Sequence, residues 1–465
     1  MKLFANPWAM KSLEVKLFNR RLDKGLARVV GKPGSLRFRL AWDTASVLVI
    51  QALSMGLGFA INVVLARLLG VREFGLYSLA ISVLSFLVVP ATLGFPLLLV
   101  REIAAYRVKG EWNLIRGLLR FAQRTSLGAS LGIALLSILV LWVFSNRFSG
   151  EAVRVLTFAF VALPFWALLQ LYGEALRGFE RIVAGQWVSL VMRPLCFLIL
   201  VGAAWVLIGR IKDASTVLCL HIVATGIALV FAFYLLRNQL HRSIPSKAVS
   251  QNTAVWTRSS LLLAFLALLN LIPQHAGILM LGWLRSAEEI GLYKVAFQTA
   301  AIIPFGHLAV NTAIAPTLAQ LYATRDKAKL RKLILAASAA AIAFALPFVL
   351  LFTVRGAWFL RLVFGEPFVG SAKALAIITG GQMIYAITGP LRLVLIMSGH
   401  ENKATLSISI GGAIYLLSNI ALIQLLGING AAIAFTITWA VTSLLNLYFV
   451  LQMLRMKFLV PRGGT

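Results

Sequence analysis

The sequence predicts an all-α polytopic membrane protein, with twelve transmembrane helices in two pseudo-symmetric six-helix bundles around a central cavity. Three observations carry that expectation. Apolar residues make up 60% of the chain against 13% charged, and the mean hydropathy is +0.89, whereas a soluble domain holds roughly 45–50% apolar residues. Apolar runs of spanning length recur twelve times. The stretch Glu-Phe-Gly-Leu-Tyr-Ser-Leu-Ala at 73–80 returns as Glu-Ile-Gly-Leu-Tyr-Lys-Val-Ala at 289–296, so the chain repeats itself.

A span needs about 20 mostly apolar residues to cross the bilayer. At that length the first half offers 44–66, 76–99, 119–144, 154–172, 186–208 and 215–236, and the second offers 259–283, 291–313, 333–353, 371–397, 403–425 and 430–452. The domains follow: a basic tail at 1–43, an N-terminal bundle at 44–236, a polar linker at 237–258, a C-terminal bundle at 259–453 and a short tail at 454–465. In the first tail Val15, Phe18, Leu22, Leu26 and Val29 recur at helical spacing between Lys16, Arg20, Arg21, Lys24 and Arg28. That pattern suits an amphipathic helix lying on anionic membrane lipid. The tail lacks an apolar core of signal-peptide length followed by a cleavage site, so the N-terminus is expected in the cytoplasm.

The formal charge of +29 comes from 44 Lys and Arg against 15 Asp and Glu. With the N-terminus inside, 31 of the basic residues fall on the cytoplasmic face, 10 on the opposite face, and Arg193, Lys294 and Arg392 within spans. A bias near three to one is the positive-inside pattern. The basic excess therefore sets orientation and draws anionic lipid, both termini are expected in the cytoplasm, and nucleic acid is not an expected partner.

The two copies of the Gly-Leu-Tyr element stand 216 residues apart, and a second echo, Gly-Phe-Glu-Arg at 178–181 and Gly-His-Glu-Asn at 399–402, stands 221 apart. Each member of the second pair follows the fourth span of its half. An even number of spans per copy gives both copies one orientation and a pseudo-twofold axis along the membrane normal. Proteins built this way place a substrate site between the halves and expose it to each side in turn.

All fifteen carboxylates lie outside the depths of the spans, and Glu174 comes nearest. A cation-coupled pump keeps an acid in the membrane to carry its ion; no such relay is visible. Cys196 and Cys219 sit in apolar runs as small hydrophobes, and His221, His241, His275, His307 and His400 are scattered rather than spaced as metal ligands. No nucleotide loop, nucleophile elbow or zinc-protease motif occurs, so neither enzymatic activity nor a cofactor or metal is expected.

Basic and polar residues within the spans are the candidate site. Arg193 stands beside Pro194, and Arg392 follows Gly389 and Pro390, where a break would free backbone groups toward a cavity. Snorkelling to the headgroups is the competing reading for both. Gln51 and Asn62 are eleven apart on the first span, Asn270 and Gln274 four apart on the seventh, and Lys294 and Gln298 four apart on the eighth, spacings that share one helix face. Such stripes line a hydrated cavity or make interhelical hydrogen bonds. Arg67 and Arg101 stand at the outer end of the first span and the inner end of the second. A chamber with cations and no acids would select an anionic head group, because Arg and Lys bind phosphate well.

The run Leu-Ala-Arg-Leu-Leu-Gly at 65–70, the Glu-Phe-Gly-Leu-Tyr element and the closing Leu-Val-Arg-Glu at 99–102 occur in the order seen in polysaccharide biosynthesis proteins of the oligosaccharide (O-antigen, capsule repeat-unit) flippase kind. The stretches 279–298 and 362–377 resemble that family's seventh-to-eighth helix junction and its tenth-helix lead-in. The resemblance spans about 44–452 and extends to the superfamily of multidrug and toxin extrusion transporters and lipid II flippases. It implies two six-helix bundles forming a V. It also implies movement of an undecaprenyl-pyrophosphate-linked oligosaccharide from the inner to the outer leaflet of a bacterial cytoplasmic membrane, with a polysaccharide polymerase or glycosyltransferases as partners. Arg67, Arg101, Arg193, Lys294 and Arg392 would contact pyrophosphate or acidic sugars. Many relatives carry an acid partway along the seventh helix, where this chain has His275, Ala276 and Gly277, so shared cation coupling is in doubt. A multidrug exporter of the same superfamily and a non-transporting scaffold for glycan assembly are the alternatives.

Overall fold

The computed structural model describes residues 36–209, 211, 213–243, 253–324 and 326–456. The expected tail helix at 15–29 and most of the linker lie outside the described residues. The fold is a chain of helices: α1 Leu36–Thr92, α2 Phe95–Lys109, α3 Trp112–Val143, α4 Gly150–Gly178, α5 Ile182–Trp187, α6 Arg193–Ile208, α7 Ala214–Ser243 in the N-terminal half. The C-terminal half comprises α8 Thr253–Leu284, α9 Ala287–Ala300, α10 Ile302–Ala323, α11 Lys327–Val354, α12 Gly356–Val363, α13 Ala372–Met397, α14 Glu401–Leu426 and α15 Ile428–Met456. The described residues include no strand.

Eleven stretches are long and apolar enough to cross a membrane. The first of them holds two crossings: α1 has 57 residues, about 86 Å at 1.5 Å per residue, nearly three times the hydrocarbon thickness. It turns at Gly70, where φ is 74° and ψ 179°, a backbone that a residue without Cβ adopts freely. The first two spans are therefore two helices that meet directly at the Gly70 kink, and the protein is a multi-pass membrane protein with twelve crossings among the described residues.

Three further breaks have visible causes. Between α1 and α2 the chain passes through Leu93 (φ 50°) and Gly94 (φ 76°), and a Cβ on Gly94 would run into the α8 backbone at Ser260 and Ala264. Between α5 and α6 lies a π turn, Val188–Met192, in which the Arg193 amide bonds the Val188 carbonyl five residues back. Pro194 cannot donate to Leu190, and slipping one register spares the helix a lost bond. Between α9 and α10, Pro304 leaves the Ala300 carbonyl without its donor, and the chain turns at Ala301.

We name the two ends of the bundle by their contents: the motif face carries Gly70 and Ser286, and the basic face carries the α2–α3 and α13–α14 turns. Toward the motif face one core joins the halves, with Leu65, Phe74, Phe160 and Leu218 packed in the same cluster as Leu281, Val295, Phe364 and Phe435. Toward the basic face the core divides. One cluster holds Phe95, Leu118, Leu176 and Ala232, with α8 adding Trp256, and a separate one holds Leu318, Leu330, Val394 and Met453. The molecule is a V whose arms meet at the motif face.

The repeated element forms the apex of the V. A Cβ on Gly75 would overlap the Ala287 carbonyl and one on Gly291 would overlap the Val71 carbonyl, so each copy presses its glycine onto the backbone just ahead of the other. Small residues allow helices in lipid this approach. The carboxylates of the two copies also correspond. Glu73 Oε2 accepts from the Ala214 amide at 2.8 Å, at the start of α7, and a Cβ on Gly427, one residue before α15, would lie 2.7 Å from Glu289 Oε2. Both acids thus sit at the positive N-terminus of the last helix of their half.

Candidate functional site

Between the arms lies a cavity of ≈ 480 Å³ lined by Gln51, Ser54, Met55, Leu190, Ala301, Pro304, Phe305, His307, Leu308, Asn311 and Tyr385. Its walls are α1, the π turn, α10 and α13, so both halves contribute. Gln51 stands 19 residues before the Gly70 turn, about 28 Å at the helical rise, which places the chamber on the basic-face side. The break at Ala301 forms part of the wall. Irregular backbone at membrane depth is tolerated where it lines such a space, and Pro304 ensures it.

The spans that wall the chamber carry further polar residues toward the motif face. On α1, Gln51 and Met55 lead at helical spacing to Asn62, which donates to the Gly58 carbonyl at 2.7 Å. On the eighth span, Leu308, Phe305 and Ala301 lead back to Gln298 and Lys294. On the fifth, Leu190 leads to Arg193. Arg193 and Lys294 sit deep in the bundle, yet each keeps part of its surface uncovered. Neither has an ion pair or a hydrogen bond to another described residue. The Arg193 guanidinium lies 4.3 Å over the Trp166 ring, beside His221, whose ring stacks on Trp166 at 5.3 Å and whose Nδ1 meets the Tyr77 hydroxyl at 3.0 Å.

The C-terminal half carries its own polar cluster. The His307 ring packs against Tyr385 at 4.7 Å, and Tyr385 against Trp439 at 4.1 Å. Asn311 Nδ2 meets His307 Nε2 at 2.8 Å. Gly389 makes room, since a Cβ there would overlap the imidazole. Arg392, one turn of α13 past Gly389 and two past Tyr385, lies within electrostatic reach of both His307 and Tyr385.

The remaining residues singled out from the sequence go elsewhere. Arg67 donates from Nε to the Val363 carbonyl at 2.8 Å and from Nη2 to the Leu362 carbonyl at 2.5 Å, which caps the C-terminus of α12 across the gap between the halves. Arg101 is exposed and pairs with Glu102 at 2.8 Å. Asn270 and Gln274 are exposed on α8 and bond along their own helix to Leu266 and Asn270, outside the chamber lining. Of the residues expected from the sequence, Gln51 lines the chamber, and Asn62, Arg193, Lys294, Gln298 and Arg392 lie elsewhere on the spans that wall it, outside its lining. His307, Asn311 and Tyr385 were not singled out. Their signal was an i, i+4 His–Asn pair on a helix, which a search for metal spacing passes over. Among the described residues no group of His, Cys, Asp or Glu is arranged to hold a metal ion, and the two cysteines are free and half-buried.

A family model described as "Polysaccharide biosynthesis protein" matches residues 40–322, more than half of the chain. The chain belongs to that family. One curated polysaccharide-related relative, the probable low-salt glycan biosynthesis flippase Agl15 of Haloferax volcanii, is 21% identical over 428 residues, covering 91% of this chain and 86% of the relative. Among solved structures, an inward-facing multidrug-resistance transporter of the MATE family and MOP superfamily superimposes with a TM-score of 0.72 at 12% identity, covering 90% of this chain and all of that one. The lipid II flippase MurJ in an inward closed conformation gives 0.64 at 16% identity over 86% of each chain. A MOP superfamily transporter from Pyrococcus furiosus, described by the reverse polarity of its binding pocket, gives 0.59 at 13% identity over 88% of this chain and 95% of that one. At these identities the structural likeness establishes the fold and nothing further.

Proposed function

We propose that this polysaccharide biosynthesis protein is a flippase that carries a lipid-linked oligosaccharide, joined to its polyprenyl carrier through a diphosphate, from the inner to the outer leaflet of the cytoplasmic membrane by alternating access. The basic face is the cytoplasmic one, as the excess of Lys and Arg on it supports. The observation that carries the reading is a chamber between two pseudo-symmetric halves whose lining holds no carboxylate, with Arg193, Lys294 and Arg392 in spans that contribute to its walls. Such a chamber suits an anionic head group and repels the cationic compounds that a multidrug exporter handles. The Haloferax relative is described as a probable low-salt glycan biosynthesis flippase, which supports a glycan-linked substrate.

Expulsion of a doubly negative group against an inside-negative potential is favourable by about 2.3 kcal/mol per charge per 100 mV, which provides a driving force without an acidic relay. The protein itself breaks no bond. It exchanges the water around the diphosphate for cations held inside the bundle while the polyprenyl tail stays in lipid.

The test is a flipping assay in liposomes. Reconstituted protein should expose a lipid-diphosphate sugar to an impermeant probe, and Arg193→Ala with Lys294→Ala should slow exposure at least tenfold. An unchanged rate in the double variant, or extrusion of cationic dyes by the native protein, would refute the proposal.

A further inference from the structure

The cluster in the C-terminal half contains more unused hydrogen-bonding capacity than a packed interior tolerates. His307 is 4% exposed, and its Nδ1 has no partner. Arg392 Nε, Trp439 Nε1 and Asn311 Oδ1 are likewise buried without one. A buried polar atom without a partner is destabilising, and native interiors hold few of them. Here four belong to one cluster: His307 and Asn311 line the chamber with Tyr385, Trp439 packs on Tyr385, and Arg392 acts on both His307 and Tyr385.

Their chemistry indicates what completes them. If Asn311 Nδ2–H donates to His307 Nε2, the imidazole proton resides on Nδ1. His307 Nδ1–H, Arg392 Nε–H and Trp439 Nε1–H are then three idle donors against one idle acceptor. Arg392 is the one charged group acting on His307. Tyr385 is the other titratable side chain packed against it, and Gln51 and Ser54 face the chamber from α1. A donor-rich, acid-free cradle matches phosphoryl oxygens, which only accept, and an Arg beside it supplies charge.

We infer that His307, Asn311, Tyr385, Trp439 and Arg392 form a phosphoryl-anion subsite built wholly in the C-terminal half, separate from the deeper charges of Arg193 and Lys294. The inference rests on the flippase reading for its physiological ligand, though not for the binding chemistry. The anion comes either from the diphosphate of the polyprenyl carrier or from a phospholipid head group. Gly389 keeps the cradle open by letting the imidazole lie flat against α13.

The experiment measures binding of inorganic pyrophosphate to the full chain in phosphatidylcholine nanodiscs. Arg392→Ala and Gly389→Ala should each weaken binding at least tenfold, Arg392→Lys should fall between Arg392→Ala and native protein, and Lys329→Ala, which removes an exposed surface cation, should stay within twofold. Equal melting temperatures in the same nanodiscs show that the variants are folded. Competition by polyprenyl diphosphate, lost in Arg392→Ala, identifies the carrier as the source; competition by phosphatidylglycerol instead identifies the phospholipid. Native-like pyrophosphate binding by Arg392→Ala and His307→Ala together would overturn the inference. Arg392-dependent binding in a protein that fails the liposome assay would leave the subsite standing and dismiss the flippase reading.

Discussion

At the scale of residues, the fold depends on a few places where only hydrogen fits. Gly75 and Gly291 are the clearest, because each faces a backbone carbonyl of the opposite half and neither neighbour can yield as a flexible side chain would. Overpacking of this kind costs about 1–3 kcal/mol, and here the penalty falls only on the state in which the motif face is closed. Gly75→Val is therefore expected to raise labelling of a cysteine placed at Phe74, which is fully buried, by an impermeant maleimide about tenfold. Gly291→Val should do the same, and no change in either variant would show that the pair is not a gate. The sequence displayed these glycines openly, because a repeated motif invites a reason. It concealed the acceptors of Arg67, since backbone carbonyls at a helix end leave no mark in the residue pattern. It also concealed the His307–Asn311 pair, which resembles any two polar residues on one helix face until Gly389 is seen beneath it.

At the scale of elements, the number and order of the spans could be read from hydropathy. The interruptions were harder to foresee. Pro194 and Pro304 both sit inside apolar runs, and proline tolerates several outcomes there: the first produces a π turn in a helix that continues, the second a full break at Ala301. Which outcome prevails depends on what packs alongside, and beside Ala301 there is open chamber. Pro304→Ala returns a donor for the Ala300 carbonyl and should join α9 to α10 as one helix. Transport in liposomes is expected to slow about tenfold while pyrophosphate binding stays near native, since His307 and Asn311 lie on the unbroken part of α10. A rate equal to native would show that the break is incidental.

For the whole molecule, closure of the motif face is distributed over several contacts between the halves. Arg72 pairs with Glu151 at 2.8 Å in its own half and with Glu288 of the other at 3.5 Å. Phe59 and Phe74 set their rings edge-on to Phe364 and Phe368 at 5.8 and 6.1 Å. Arg67 holds α12, with Trp358 of that helix left exposed. The ion pairs lie in water and contribute little; the aromatic contacts and the cap on α12 are the stronger ties. Arg67→Ala should shift the balance toward a form open at the motif face by about 1 kcal/mol, roughly a fivefold change in population. Spin labels on the Gly70 turn and on α12 would read this as a longer distance component, and an unaltered distribution would contradict it.

The apex contact has one more implication. Each copy of the motif touches the other in the same manner, which is how two identical subunits meet across a dyad. A self-pairing six-helix unit written twice into one chain would meet itself in this way, and a side chain on either glycine would push away the backbone of the other copy.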